Sequence, residues 1–447
     1  MKYQLGRGIL CFVLSGVFFV LITFPIAGAD GQIDILPDGN TSFVISKSGS
    51  YILVGNVTMK TDYSCISIRA DNVTLDMNGH TLAGLAMVAG NWGIESVDIS
   101  SGKTYDNITV TNGTVTNFSD GGLNLGHYAR VSNVTTYANK GKGIECRNSS
   151  IVENCHSYKN FWHGIAVGKN SIVRNCTCRE NDGGSYDDCF GISAEMRSVV
   201  ENNICEENKN SGDKKCGGIS ITGGRVCGNV CSSNKTKGTG ECYGIFAIAS
   251  VIRGNYCEGN TSTEADYVFG IQANANSIVE GNTCIINYSE SSIGTGIGIN
   301  LLFNCRAVNN ICDANGLDLQ NQGGFGIRLA ESQNYLTGNN CSTQLAGGNG
   351  KAIGIYVMGI ENLVKANHAT RNLGPAADGS YGIYIDAGDD CNNIIVGNTT
   401  SGNNTIGIKF TSTTKGGYAS ANLTGDGIDL NGANNKNGTS PAANDSF

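Results

Sequence analysis

The stretch that decides the fold is residues 381–398, YGIYIDAGDDCNNIIVGN. It begins with a Gly-Ile pair at 382–383 in a short alternating segment and passes through a polar loop. It then continues into the β-forming run at 394–396 and closes on the Gly-Asn pair at 397–398. Period-2 alternation indicates strands, and Gly and Asn tolerate the left-handed backbone of a sharp corner. The stretch therefore predicts short strands joined by corners.

The same unit recurs through most of the chain. The Gly-Ile pair begins at Gly143, Gly164, Gly191, Gly218, Gly244, Gly270, Gly298, Gly326, Gly354, Gly382 and Gly407, with degenerate copies at Gly93 and Gly122. Leucine-rich repeats have a similar period, but their Leu-x-x-Leu-x-Leu framework is missing, and propeller blades need longer units. Three short strands per unit predict an all-β, single-stranded parallel β-helix of about 12 coils, each of 21–29 residues.

Composition agrees with a turn-rich β protein. The chain has 447 residues, of which 63 are glycine, 4 are proline and 15% are charged. So little proline excludes collagen, and 40% hydrophobic residues are enough to bury a core, which argues against disorder. Gly and Asn are poor helix formers, so helical bundles are also disfavoured.

The N-terminus has the pattern of a secretory leader. Lys2 and Arg7 precede an apolar stretch that ends in small residues at Ala29; an uncleaved membrane span is the alternative. We predict a signal peptide at 1–29, an N-terminal cap at 30–60, the β-helix at 61–417 and a C-terminal cap or tail at 418–447. No membrane span is expected after signal removal.

The charge of the mature chain limits its partners. Without Lys2 and Arg7 it has 28 basic and 38 acidic residues, a net charge of −10. This charge argues against binding nucleic acid or anionic lipid. The leader pattern predicts that the chain is secreted or on the cell surface. Polysaccharide or cell-envelope components are its expected partners, and self-association is left open.

The cysteines form two columns when the units are aligned on their glycines. One column lies 13–15 residues after the Gly and the other two residues before it. Stacked coils about 4.8 Å apart and an exported chain favour disulfides between coils; a ladder of buried free thiols is the alternative. The paired Cys-x2-Cys pattern of zinc ribbons is missing. The first column is Cys178, Cys205, Cys231, Cys257, Cys284, Cys312 and Cys341; the second is Cys189, Cys216 and Cys242.

Asn-x-Ser/Thr sequons are dense. They fit a glycosylated surface protein, although turn-forming Asn beside β-forming Thr produces the same pattern. They lie at Asn40, Asn56, Asn72, Asn107, Asn112, Asn117, Asn133, Asn148, Asn175, Asn234, Asn260, Asn287, Asn340, Asn398, Asn403, Asn422, Asn437 and Asn444.

Residues 71–82, DNVTLDMNGHTL, together with the Gly-Ile units, resemble the right-handed parallel β-helix proteins of the pectin-lyase-like superfamily. Within it, the units are similar to archaeal and bacterial surface β-helix proteins and to the periplasmic copper-pathway β-helix family. The resemblance covers about residues 60–410 and implies the fold. It does not choose among lyases, hydrolases, epimerases, adhesins and scaffolds.

One sheet face carries the candidate site residues. Positions two and four after each Gly are expected to face solvent, which places Arg328, Tyr356, Tyr384, Asp386 and Lys409 on one face. Arg328, Tyr356 and Tyr384 are candidates for carbohydrate binding, and Arg328, Asp386 and Lys409 are candidates for catalysis.

The chain contains one candidate metal site and two histidines at repeat positions. Asp386, Asp389 and Asp390 could bind calcium through carboxylate oxygens, and no other cofactor is expected. His163 and His368 occupy repeat positions and are assigned to packing.

The functional prediction is a cell-surface or sheath protein, structural or adhesive, that could bind polysaccharide. We expect it to be non-catalytic, because the Gly-His-Gly and Arg-x-Lys motifs of the polygalacturonases, which the fold resembles, are missing. The alternative is a polysaccharide lyase or glycoside hydrolase that acts on acidic polysaccharide.

Overall fold

The computed structural model describes residues 31–61, 63–85, 90–98, 101–185, 187–316, 322–374, 379–430 and 436–438. The described chain consists of strands and turns, and its long sheets are parallel. The segment predicted as a signal peptide lies outside the described residues. Within the described residues, no helix is long and apolar enough to cross a membrane.

The Gly-Ile strands form one parallel sheet of 16 strands, here called the front sheet. Each strand pairs with the equivalent strand of the next coil. Its strands are Phe43–Ile45, Ile66–Ile68, Trp92–Glu95, Gly121–Leu125, Lys142–Cys146, Ile165–Val167, Cys189–Ala194, Cys216–Thr222, Cys242–Ile248, Tyr267–Asn274, Thr295–Leu301, Gly323–Leu329, Ala352–Val357, Ser380–Ile385, Ile406–Phe410 and Ile428–Leu430.

The second strand of each coil builds the second sheet. Its strands are Ile33–Ile35, Gly49–Leu53, Val73–Asp76, Ile108–Thr116, Arg130–Tyr137, Ile151–Glu153, Ile172–Arg174, Val199–Glu201, Arg225–Cys227, Val251–Arg253, Ile278–Glu280, Arg306–Val308, Tyr335–Thr337, Leu363–Lys365, Ile394–Val396, Tyr418–Ser420 and Lys436–Gly438. Ile108–Thr116 and Arg130–Tyr137 are long enough to continue into the third sheet.

The third strand of each coil completes the wall. The third sheet contains Val57–Thr58, Thr81–Ala83, His156–Tyr158, Thr177–Arg179, Ile204–Glu206, Val230–Ser232, Tyr256–Glu258, Thr283–Ile285, Ile311–Asp313, Asn340–Ser342, His368–Thr370, Thr399–Ser401 and Leu423–Thr424. A short parallel sheet of Lys209–Asn210, Lys235–Thr236, Thr261–Ser262 and Tyr288–Ser289 and an antiparallel hairpin of Val97–Asp98 and Lys103–Thr104 complete the strands.

These pairings confirm the predicted parallel β-helix, with about 14 turns rather than about 12. The difference arises at both ends. Strands in the predicted N-terminal cap, such as Gly49–Leu53, pair with the coil that follows. Tyr418–Ser420, at the start of the predicted C-terminal cap, pairs with Ile394–Val396. The end segments thus continue the same sheets.

The interior is one hydrophobic column. Equivalent isoleucines of the front sheet, such as Ile192, Ile219 and Ile245, pair in register and are fully buried. Full burial of each such side chain stabilises the fold by roughly 1.5–3 kcal/mol. The core therefore grows by one layer with each coil.

The glycine of each unit also faces the interior. A Cβ on Gly244 would lie 2.8 Å from the Cβ of Cys257 and 2.5 Å from the carbonyl oxygen of Gly270. Strand pairing matches the residues on both sides of this Gly but not the glycines themselves. Because Gly244 and Ile245 both point inward, the alternation breaks here and Tyr243 falls on the outer side.

The two predicted cysteine columns are present, but the disulfides are not. Cys205 pairs in register with Cys178 and Cys231, and Cys216 with Cys189 and Cys242. All 17 described cysteines are free thiols, and all but Cys227 are buried.

The physical reason is the direction of the side chains. In-register parallel neighbours hold their Cβ atoms about as far apart as their Cα atoms, about 4.8 Å, whereas a disulfide needs about 3.8 Å. The alternative of a buried thiol ladder describes this column.

Buried asparagines form two ladders along the corners. Asn208 donates from Nδ2 to Asn234 Oδ1 at 3.0 Å, and Asn234 donates to Asn260 Oδ1 at 2.8 Å. The same Asn234 Nδ2 also donates to the Cys205 carbonyl at 3.2 Å. A second ladder runs through Asn229 and Asn255. These amides satisfy buried backbone groups that the corner would otherwise leave unpaired.

Some of the sequons lie in these ladders. Their asparagines are buried, and their Nδ2 atoms donate to neighbouring coils. A glycan on Nδ2 would remove these hydrogen bonds and has no room in the interior, so these positions are not glycan sites of the folded chain. They are Asn234, Asn260, Asn287, Asn398 and Asn403.

Replacing Asn260 with alanine is expected to lower the free energy of unfolding by at least about 2 kcal/mol. Its loss removes the acceptor of the Asn234 backbone N–H and the Nδ2 donor to the Cys231 carbonyl, and each buried group left unpaired costs about 1–3 kcal/mol. Urea unfolding measures the change. Asn340→Ala is the control, because Asn340 is exposed on the third sheet, and it should change stability by less than about 0.5 kcal/mol. Equal losses in the two variants would show that the ladder is not what stabilises the corner.

Thiol titration is expected to find all 17 described cysteines reduced. In the native protein only Cys227 is accessible to an aromatic disulfide reagent, because the other thiols are buried. After denaturation without reductant the mature chain should titrate as 17 thiols, the same number as after prior reduction. A lower count without reductant would mean that disulfides form in the columns.

Candidate functional site

The structure places the predicted site residues in one row across the front sheet. Arg328 pairs in register with Tyr356, Tyr356 with Tyr384, and Tyr384 with Lys409. Asn300 precedes Arg328 in the same row. Equivalent positions of parallel strands point to the same side, so these five side chains share the outer face. We call them the C-terminal row.

The row is more buried than the sequence predicts. Tyr384 is only 6% exposed, because its ring packs against Tyr381 and Tyr356, with centroids 4.7 and 5.6 Å away. The ammonium of Lys351 lies 4.3 Å from the centroid of the same ring. Tyr384, which was expected to face solvent, is therefore covered, whereas Tyr356 and Arg328 remain half-buried.

A second hydrophobic cluster, outside the main core, covers the Tyr384 ring. It consists of the residues that precede the repeat glycines, displaced outward where the alternation breaks, together with Tyr384. Its members are Phe190, Tyr243, Phe269, Ile297, Phe325, Ile353, Tyr381 and Tyr384. This cluster runs beside the row and leaves the cationic ends of Arg328 and Lys351 next to aromatic rings.

Arg328 lies over the ring of Tyr267, with 4.8 Å between the guanidinium carbon and the ring centroid. Its Nε is 3.3 Å from Met358 Sδ. It forms no ion pair with any described residue. Beside it, Asn300 is 3% exposed and its Oδ1 accepts no hydrogen bond within the described chain. A cation and an acceptor thus lie side by side without matching partners.

Lys351 is a member of the site that the sequence did not identify. It lies just before the strand Ala352–Val357, and its Nζ donates to the Tyr384 hydroxyl at 2.9 Å. No carboxylate among the described residues pairs with it. Lys409 is placed similarly, with Nζ 3.4 Å from the Tyr381 hydroxyl, and it lies opposite Asp429 in register. The signal for Lys351 was its position three residues before a repeat glycine.

The aspartates do not form the predicted calcium cluster. Asp386 accepts hydrogen bonds from the hydroxyls of Thr411 and Thr413 at 2.9 and 3.2 Å. Asp389 pairs with Lys415 at 2.9 Å. No group of three metal-ligating acidic, histidine or cysteine side chains occurs in the described part of the chain. Asp386 is thereby oriented by threonines and does not join Asp389 and Asp390.

The two histidines assigned to packing differ. His368 is exposed on the third sheet, so the packing assignment is wrong there. His163 is half-buried, with its ring beside Phe190, and its Nδ1 accepts the backbone N–H of Phe190 at 3.0 Å. The sequence could not separate these cases because both positions share a repeat-like context.

Burial raises the pKa of Tyr356 to about 12, and the negative charge of Asp386 adds to the effect. Arg328 acts in the opposite direction and is the smaller cause. The Tyr356 hydroxyl therefore stays protonated at neutral pH. It can donate a hydrogen bond within the row.

Comparisons with known proteins give structural neighbours only. No protein-family model matches the chain, and no curated protein sequence matches it. The A-module of the mannuronan C-5 epimerase AlgE4 of Azotobacter vinelandii is 12% identical over 88% of this chain and 91% of its own, with a TM-score of 0.37.

Two further solved structures cover similar shares of the chain. A mutant tailspike protein of E. coli bacteriophage HK620, in complex with a hexasaccharide, is 10% identical over 87% of this chain and 73% of its own, with a TM-score of 0.44. The catalytic unit of the GH87 α-1,3-glucanase of Streptomyces thermodiastaticus is 12% identical over 90% and 64%, with a TM-score of 0.36. These TM-scores are too low to assign any site of these proteins to this chain.

Asp386→Asn is expected to lower the pKa of Tyr356 from about 12 while leaving it above the ordinary value of about 10, because burial remains. The ultraviolet absorbance of tyrosinate follows the titration, and Tyr356→Phe identifies the step that belongs to this residue. A pKa unchanged by Asp386→Asn would mean that the carboxylate does not act on the tyrosine.

Proposed function

We propose that the chain is a secreted or cell-surface β-helix protein that binds acidic polysaccharide through the C-terminal row, without catalysing a reaction on it. The observation that carries this proposal is the pair of cations, Arg328 and Lys351, held over tyrosine rings and paired with no carboxylate of the described chain. The chain is acidic overall, with a formal net charge of −8, so these two cations form a local positive site on an acidic protein.

The chemistry of the row suits a uronate. A guanidinium binds a carboxylate in a bidentate manner, and Arg328 loses little freedom on binding because the Tyr267 ring already positions it. The Lys351 ammonium adds a second positive charge near the Tyr384 hydroxyl. Half-buried charges are screened less by salt than fully exposed ones, which favours a specific site over general charge attraction.

The polar partners in the row suit sugar hydroxyls. The Tyr356 hydroxyl is protonated at neutral pH and can donate a hydrogen bond to a sugar oxygen. Binding therefore combines charge with hydroxyl recognition, as polar groups do in ligand sites.

The location and modification of the protein are part of the same proposal. The leader pattern at 1–29 supports export, and the sequons that remain exposed could carry glycans. Asn56, Asn107, Asn133 and Asn175 are exposed at the surface, unlike the sequons in the ladders. A regular solenoid that presents a binding row supports a surface or sheath role.

Arg328→Ala is expected to weaken binding of polygalacturonate or alginate at least tenfold, which corresponds to about 1.4 kcal/mol. Arg306→Ala is the matched control, because Arg306 lies 5.3 Å over the ring of Tyr335 on the second sheet, away from the row. Titration calorimetry measures both, with neutral dextran as the polymer control. Equal weakening by the two variants, or equal binding of dextran, contradicts the proposal.

The same mixtures test the catalytic alternative. Release of unsaturated or reducing ends that Asp386→Asn or Lys409→Ala abolishes would replace the binding function with a lyase or hydrolase. Binding without such release supports the non-catalytic role.

A further inference from the structure

A second depression lies on the same front sheet, about six coils towards the N-terminus. Its volume is about 180 Å³, and it is lined by polar and charged side chains around a small floor. An adjoining depression of about 420 Å³ shares Arg147 and Asn148 with it and borders the Val97–Asp98 and Lys103–Thr104 hairpin. We call the first depression the N-terminal cleft; it is lined by Lys142, Glu145, Cys146, Arg147, Asn148, His163, Ala166, Val167, Gly168, Ser193 and Glu195.

The cleft exists because one coil lacks large side chains at its outward positions. Ala166 lies in register between Glu145 and Ser193, in the same row that carries tyrosines further along. Gly168 follows two residues later, and a Cβ there would lie 2.4 Å from Asn148 Oδ1. The longer side chains of the lining, such as Lys142 and Glu145, therefore stand beside a low floor.

His163 provides a hydrogen-bond donor of fixed orientation. Its Nδ1 accepts the Phe190 N–H, so the neutral ring carries its proton on Nε2. Burial lowers the pKa of His163 to about 4, with the positive charge of Lys142 as the next cause, so the ring is neutral at pH 7. Nε2–H donates to no described residue. In this tautomer His163 can donate to a ligand but cannot act as a base.

The charges of the cleft are arranged by depth. Lys142 and Glu145 form an ion pair of 2.7 Å along the wall. Arg147 and Glu195 are exposed at the rim and pair with no oppositely charged group of the described chain. Arg147 and Glu195 each follow a strand that pairs with the strand ending at Val167. They therefore lie on either side of Gly168, about two strand spacings, or roughly 10 Å, apart.

We propose that the N-terminal cleft is a second saccharide site, which binds one sugar ring that carries a carboxylate. The carboxylate pairs with Arg147, a ring hydroxyl donates to Glu195, and His163 Nε2–H donates to a sugar oxygen. The volume is below the roughly 300–1,000 Å³ of pockets for drug-sized ligands, which fits a single ring. The floor at Ala166 leaves the space that the ring occupies.

The cleft goes beyond the binding function proposed for the C-terminal row. Six strand spacings of about 4.8 Å separate Ala166 from Arg328, about 29 Å along the sheet. A long acidic polymer can contact both sites, so its second contact becomes intramolecular and strengthens binding. A monosaccharide can occupy only one site at a time.

The test uses free galacturonate as the probe and full-length Arg328→Ala protein as the background, so that the C-terminal row is weakened. Ala166→Phe fills the cleft, and we expect it to weaken galacturonate binding at least tenfold. Gln272→Phe introduces the same side chain in the same row outside the cleft and should leave binding unchanged. Circular dichroism checks that each variant folds, and Arg147→Ala provides a second variant that leaves the floor intact.

NMR of the imidazole nitrogens tests whether His163 contacts the ligand, because a purely structural role would leave its chemical shifts unchanged on binding. On binding, the Nε2 signal of His163 should shift, with Nδ1 remaining the acceptor. Binding that survives both Ala166→Phe and Arg147→Ala, or equal binding of neutral glucose, overturns the proposal. Absence of galacturonate binding in the Arg328→Ala background overturns the cleft alone, whereas failure of the wild type to bind acidic polymer overturns the proposed function.

Discussion

Parallel pairing between equivalent strands of successive coils is the interaction on which this structure depends. It holds every coil in register, so a residue type at one position is repeated above and below itself. A buried isoleucine then meets another isoleucine, and a buried asparagine meets another asparagine. What would be an isolated unsatisfied amide elsewhere becomes a continuous ladder here. The same register explains why the repeat glycines must remain small, since a side chain of the third sheet, such as Cys257 beside Gly244, fills the adjacent space.

The register of the strands also determines where binding sites can form along the front sheet. Successive outward positions form rows, and the size and charge of the residue in each coil decide whether the row is a cleft or a covered patch. Ala166 and Gly168 leave an open floor, whereas Tyr356 and Tyr384 fill the equivalent region further along. The two proposed sites are therefore variants of one surface, separated by the coils that carry Ser220, Phe246 and Gln272 in this row.

Much of the fold could be predicted because the repeat is explicit. The Gly-Ile spacing predicts the coil, and the row from Arg328 to Lys409 and both cysteine columns lie where the alignment places them. The chemistry of the columns could not be predicted this way. Cα spacing permits a disulfide, but the parallel Cβ directions of in-register neighbours do not, and the thiols are free.

The candidate site was predicted less completely than the fold. Alternation indicates that Tyr384 points outward, but it does not show that Lys351, Tyr381 and Tyr356 cover its ring. Lys351 and His163 enter their sites from positions before the repeat glycine, where the alternation breaks. Their roles depend on that break and on the neighbouring coils.

The sequence by itself determined the solenoid, its three strands per coil and the residues that share each row. A repeated unit with period-2 strands fixes these features wherever the chain is folded. Only the tertiary structure decided which rings are covered, which asparagines are buried, which thiols remain free and where the floor of the front sheet is open. These outcomes depend on side-chain directions between coils and on the residues that flank the strands, and neither is contained in the repeat.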